Sequence, residues 1–304
     1  MTPRLHLAPP LLRWTCLVVL AALLPATMPA PAAAAVDVDA LWDFRDPAAS
    51  EARFRAALQT ARGDDALVLQ TQIARTWGSR RDFAKARELL QAIAPAVETA
   101  GFEARTRYQL ELGRTYASAT HAPESQTTDS REAARRAFHA AADAARAGGG
   151  LDGLRIDALH MMAFVDTAPA EQLRWAEAGL AAVEASSQAG AKAWEASLRN
   201  NAGVALNELG RHAEALVQFQ RALALREAAG RAVPARIARW MIANTLRRMG
   251  RLDEALAMQL KLEADWQAAG DHDEFVFEEL EQIYRAKGDE ARARHYAALR
   301  QAPK

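Results

Sequence analysis

The chain has 304 residues, of which 50% are hydrophobic, and its 38 basic and 38 acidic residues give a formal net charge of zero. That balance excludes a general nucleic-acid binder, which needs a basic stripe to neutralise phosphates and release counterions. The single cysteine, Cys16, excludes a disulfide framework, so the fold must be held together by burial alone.

Residues 1–35 read as a signal peptide. Arg4 and Arg13 precede an uncharged apolar run from Cys16 to Leu24, and Pro25 and a stretch rich in small residues follow, ending at Ala35. The run is shorter than the roughly 20 apolar residues of a membrane span. A periplasmic or secreted protein cleaved near Ala35 is therefore expected. The alternative is membrane anchoring by an uncleaved segment, because Trp14 to Ala35 carries no charge.

Residues 36–63 predict an N-terminal capping helix, opened by Asp46-Pro47 and running through Phe54 and Leu58. From 64 to 304 the pattern predicts an array of about six helical hairpins. Ile73-Ala74 and Trp77, then Ala86 and Leu90, mark the first. Leu112-Gly113 and Tyr116, then Ala134, Phe138 and Ala141, mark the second, which carries a polar insertion at 118–130 that reads as a surface loop with Ser130 as the following N-cap. Gly148-Gly149-Gly150 reads as a turn between repeats. A weaker copy runs from Ile156 to Leu180, with Thr167 where a turn glycine is expected and Gln172 where an alanine is expected.

The clearest hairpin pairs a helix from Trp194 to Leu209 with one from Ala213 to Ala229. Leu198, Ala202, Ala205 and Leu209 recur at helical spacing on the first, and Ala215, Phe219, Ala222 and Leu223 on the second. Gly203 stands mid-helix at a cost of about 1 kcal/mol relative to alanine, which predicts a close approach of the two helices with Phe219 beside it. Ala243, Leu246, Gly250 and Ala255 repeat the pattern, and Tyr284, Gly288 and Ala293 repeat it again. The turn glycines Gly210, Gly250 and Gly288 stand 40 and then 38 residues apart, and a period in that range means a solenoid of helix pairs. Gly230-Arg-Ala-Val-Pro234 reads as a lengthened connection.

These residues resemble the tetratricopeptide repeat family. Its consensus of a small pair, an aromatic or Leu three residues on, a turn glycine, an early Ala in the second helix, an aromatic and another Ala is matched by Ala202-Gly203, Leu206, Gly210, Ala215, Phe219 and Ala222. The resemblance covers about Asp64 to Leu299. It implies an all-α, right-handed α-solenoid of antiparallel helix pairs, although the spacing exceeds the family's usual repeat of about 34.

No HExxH motif, phosphate-binding glycine loop, GxSxG elbow or paired-cysteine metal spacing is present, so no catalytic residue, metal or cofactor is expected. Asp271-His272-Asp273-Glu274 reads as the cap of a helix beginning near Phe275. Trp77, Tyr116 and Trp175 read as core, while Trp240 is balanced between core and groove. The resemblance further implies that positions around the small pair line the concave surface. In this chain those are Asn200, Asn201, Val204 and Asn207; Trp240, Asn244 and Arg247; Glu278, Gln282 and Arg285; and, further upstream, Arg75, Arg114, Asp157 and Met161. The expected peptide-binding set is Asn200, Asn201, Asn207, Trp240, Asn244, Arg247 and Arg285, with the asparagine amides meeting a peptide backbone and Arg247 or Arg285 pairing a carboxylate.

The expectation that follows is a non-catalytic scaffold of the cell envelope that binds a protein or peptide, without nucleic acid or cofactor, and whose array ends allow self-association. The alternative is a helical-repeat envelope enzyme or module acting on peptidoglycan, which needs Asp157 or Glu278 in a cleft with a raised pKa.

Overall fold

In a computed structural model describing residues 36–301, the first helices are α1 (Val38–Leu41) and α2 (Pro47–Leu58), the second capped by Asp46 with proline in its first turn. The signal peptide expected at 1–35 and its expected cleavage site lie outside the described residues. Paired helices follow: α3 (Gly63–Ser79) with α4 (Phe83–Val97), α5 (Phe102–Arg114) with α6 (Thr128–Gly148), and α7 (Asp152–Met162) with α8 (Pro169–Ala185). After the short α9 (Ala189–Lys192) come α10 (Glu195–Glu208) with α11 (His212–Ala228), α12 (Ala232–Arg248) with α13 (Leu252–Ala268), and α14 (Glu274–Ala286) with α15 (Glu290–Gln301). Each pair packs antiparallel and the first helices of successive pairs lie beside one another, building a right-handed all-α solenoid with no strand among the described residues. None of the described helices is long and apolar enough to cross a membrane.

The 40-residue period arises from helix length, which corrects the expectation of long connections. Helices α11, α12 and α13 have 17 residues each and short turns join them. Pro234 lies inside the first turn of α12, where backbone N–H groups have no intrahelical partner and a missing donor is harmless. Gly210, Gly230, Gly250, Gly270 and Gly288 end five consecutive helices with φ between 64° and 78°, a left-handed conformation that glycine adopts without steric penalty. The 118–130 insertion also differs in detail. Helix α6 starts at Thr128, and Thr127 caps it by accepting from the Ser130 amide at 3.2 Å, so Ser130 is inside the helix. At the other end of the array Asp273 caps α14, as the sequence indicates, by accepting from the Phe275 amide.

Glycine and phenylalanine act as a matched pair between helices. A Cβ on Gly203 would meet the fully buried Phe219 ring at 2.6 Å, and one on Gly113 would overlap the fully buried Phe138 ring. At the equivalent positions the first pair holds Ala74 with Leu90, and α12 with α13 holds Ala243 with Gln259. Where the first helix carries a methyl group, the second carries something narrower than a phenyl ring. Gln259 fills that slot poorly, being fully buried with neither amide atom hydrogen-bonded among the described residues. An unsatisfied buried polar group costs about 1–3 kcal/mol. Gln259→Leu, which copies the Ala74–Leu90 solution, is expected to raise stability by about that amount, read as a higher urea midpoint with an unchanged slope. A lower midpoint would mean the amide has a partner that this arrangement lacks.

Candidate functional site

The first helices are joined by a run of polar contacts, one at each joint from α3 to α14. Arg75 of α3 stands 3.8 Å from Glu111 of α5. Arg114 of α5 grips Asp157 of α7 through both carboxylate oxygens, at 2.5 and 2.6 Å, and holds Glu111 at 2.5 Å. Asn201 of α10 reaches the Nδ1 of His160 on α7 at 3.0 Å. Asn207 of α10 donates to Thr245 of α12 at 2.8 Å. Asn244 and Arg247 of α12 donate to the two oxygens of Glu279 on α14, at 2.9 and 2.6 Å.

This spine revises the reading of Asn207 and Asn244 as free groove amides. Both are buried, at 6% and 8% exposure. Asn207 Oδ1 is 2.9 Å from the His212 ring, and Asn244 Oδ1 accepts from Arg248, so both ends of each amide are engaged within the array. Arg247 is committed to Glu279, while Arg285 makes a bond to Glu281 at 2.8 Å and its side chain is 56% exposed. Asn200 accepts from Arg226 at 3.2 Å, a guanidinium that also donates to the Pro234 carbonyl. Trp240 is partly buried against the cluster of Phe277, Leu280 and Tyr284, and its indole donates to the Phe275 carbonyl at 2.9 Å. The other tryptophans read as core, Trp77 and Trp175, are buried, and Trp175 also donates to Asp166. Tyr116 packs part-buried against the α5–α8 core.

Hollows occur along the whole array, including one of about 430 Å³ beside Phe275, Glu278 and Arg300 of α14 and α15, and one of them gathers groove-register residues near the other end. A cleft of about 290 Å³ spans α3, α5 and α7, with Arg75, Arg114, Asp157 and Met161 all lining it. Those four occupy the groove register of the earlier hairpins. A second hollow of about 150 Å³ adjoins it across His160 and Phe164, and Asn201 and Val204 line that one. Aromatic rings form part of the larger cleft's wall: Phe44 ahead of the repeats, Phe83 stacked on His121, and Phe164 and Trp194 against His160. Sequence reasoning missed Phe44, Phe83, His160 and Trp194. Phe44 precedes the repeats and so has no repeat register. The signal for it was the pair Trp42 and Phe44 beside the Asp46-Pro47 helix start.

Charges in the cleft are set by burial and by each other. Burial opposes ionisation of Asp157, but Arg114 and Arg75 outweigh it and hold the carboxyl below its usual value. A catalytic acid would need the opposite shift. Arg114, although desolvated, is driven upward by Asp157 and Glu111. Burial lowers the His160 imidazole; Asp157 opposes that shift and Arg114 adds to it. A histidine depressed in the folded state adds stability above its ordinary range that is lost as pH falls through the folded value. The thermal midpoint is therefore expected to drop on mild acidification, and His160→Gln to flatten that drop, both followed by circular dichroism. An equal drop in the variant would assign it to other groups.

No protein-family model matches the chain, and no curated protein matches it. Among solved structures, a signal transduction ATPase with numerous domains from Pyrococcus horikoshii, a protein with a tetratricopeptide repeat sensor, superposes with a TM-score of 0.65 at 11% identity. The match covers 84% of this chain and 38% of the ATPase, so the chain spans well under half of that protein's length. BtubC from P. vanneervenii matches at 14% identity over 88% of this chain and 90% of its own, with a TM-score of 0.41. The ATPase comparison gives this chain a tetratricopeptide-like helical-repeat fold.

Proposed function

We propose that the protein is a non-catalytic scaffold of the cell envelope that binds a peptide or protein segment in the cleft of its first-helix face. The observation carrying this reading is the cleft itself, a hollow about 290 Å³ in volume with aromatic residues in its wall, continued by a second one, on an array whose neighbouring first helices are tied by the polar spine. Concave apolar sites with a few fixed polar groups are where ligands bind, and helical-repeat arrays present such surfaces to extended partners. The envelope assignment rests on the basic and apolar N-terminal sequence, which supports a periplasmic or secreted location, or anchoring by an uncleaved segment. Binding without catalysis fits the bidentate pairing of Asp157, which leaves that carboxylate no proton to give. Self-association through the array ends belongs to the same reading.

The test is affinity capture from an envelope extract with the full chain, beside a Phe44→Ala, Phe83→Ala double variant. A specific protein retained by the wild type and lost by the folded variant would support the cleft. Equal retention would move the interface elsewhere on the array. Turnover of peptidoglycan by the purified chain, abolished by Asp157→Asn, would overturn the scaffold reading in favour of an enzyme.

A further inference from the structure

Among the described residues, Arg75 is the cleft-lining guanidinium that makes no hydrogen bond. Arg114 is engaged by Asp157 and Glu111, whereas among the described residues Arg75 makes no hydrogen bond and meets Glu111 only at 3.8 Å. Its side chain keeps 25% exposure. Aromatic rings border it, since the guanidinium carbon lies 5.5 Å from the Trp42 ring centre and 5.4 Å from that of Phe44, and those two rings stack 4.6 Å apart within 2° of parallel. Trp42 is itself tied to α3 through Gln72 at 2.9 Å. The cation thus stands beside the stacked pair of rings, with its N–H groups left for whatever enters the cleft.

Charge decides which acceptor fits. Arg75, Arg114, Glu111 and Asp157 already sum to zero, and the two carboxylate side chains are only 3% and 6% exposed. An arriving anion would gain Arg75 but would face two buried carboxylates in a desolvated setting, where like charges repel strongly. An uncharged acceptor satisfies the same N–H groups without unbalancing the cluster, and the main-chain carbonyl of an extended peptide is such an acceptor. Aromatic walls at both ends of the cleft suit an aromatic side chain packed edge-to-face.

We infer that the cleft selects an extended, uncharged peptide segment carrying an aromatic residue, with Arg75 donating to its main-chain carbonyl. This rests on the reading of the cleft as a peptide site, and it names the kind of peptide. Acidic peptides are rejected, and affinity is insensitive to ionic strength because no ion pair forms.

The test is selection of a random heptapeptide display library on the full chain, followed by calorimetry with the best synthetic peptide. The expected result is enrichment of one aromatic position with neutral neighbours, affinity flat with added salt, loss of roughly tenfold or more in Arg75→Gln, and partial recovery in Arg75→Lys. Phe44→Ala should weaken the same peptide, and because Phe44 is 65% exposed the fold does not depend on it. Enrichment of acidic peptides, or binding that collapses with salt, would overturn this inference and leave the scaffold reading standing. Neutral aromatic peptides that bind all three variants equally would place them outside the cleft and overturn it as well. No enrichment of any peptide would overturn both the inference and the peptide-binding reading beneath it.

Discussion

Replacing Arg114 with methionine is expected to destabilise the protein by about 3–5 kcal/mol, the penalty for leaving buried charges without their partner. The methionine fits the space and keeps the helix, so the loss is electrostatic. Asp157 and Glu111 stay in place, nearly inaccessible to water, with only the more distant Arg75 to offset them. The pH dependence gives the signature. In the wild type, Asp157 is depressed in the folded state, so it contributes stability above the ordinary carboxylate range and loses it as pH falls through the folded value. With Arg114 gone, burial dominates at Asp157, its folded carboxyl prefers its proton, and stability should instead rise as pH falls toward that range. Adding Glu111→Gln and Asp157→Asn to the variant should restore most of the loss at neutral pH. Chemical unfolding at two pH values checks all of this, and a loss below about 1 kcal/mol would show that water reaches the cluster.

The second large effect is expected at the glycine–phenylalanine contact. Phe219→Ala should cost about 3–5 kcal/mol, as truncations of fully buried aromatic residues do. Its reciprocal is more diagnostic. Gly203→Ala gains about 1 kcal/mol of helix propensity, yet the new methyl group meets the Phe219 ring at 2.6 Å in a site with no exposure to yield into, and overpacking costs about 1–3 kcal/mol. A net loss is expected. Gly203→Ala combined with Phe219→Leu should be more stable than the two single losses predict, because it recreates the Ala74–Leu90 combination. Strict additivity in the double-mutant cycle would show that the ring and the glycine are not in conflict.

The hairpins, the close approach at Gly203 and the caps at Asp46 and Asp273 were legible in the sequence because each is fixed by residues within a few turns of one another. The groove register of Arg75, Arg114, Asp157 and Met161 was implied by the resemblance to tetratricopeptide repeats, and all four line one cleft. The fate of Asn207 and Asn244 was not legible. Their partners, Thr245 and Glu279, lie 38 and 35 residues further on, and a polar residue on an inner helix face has the same sequence pattern whether it meets water or the next helix. Pro234 misled for a related reason, since a proline in a first helical turn and a proline in a loop look alike until the turn's length is known.

The polar spine has a bearing on how the array avoids assembling in the wrong order. Tandem modules with near-identical cores are prone to pair with the wrong neighbour during folding. Each joint here carries its own combination: arginine with glutamate, arginine with aspartate, asparagine with histidine, asparagine with threonine, then asparagine and arginine sharing one glutamate. If α14 were to dock on α10 in place of α12, Asn207 would face Ile283, which stands five residues before Gly288 as Thr245 stands five before Gly250. Glu279 would at the same time lose both of its donors. Such a misplacement leaves buried polar groups unsatisfied, so the interior that looks repetitive in its packing is an address code in its polar contacts, and the hairpins are not interchangeable.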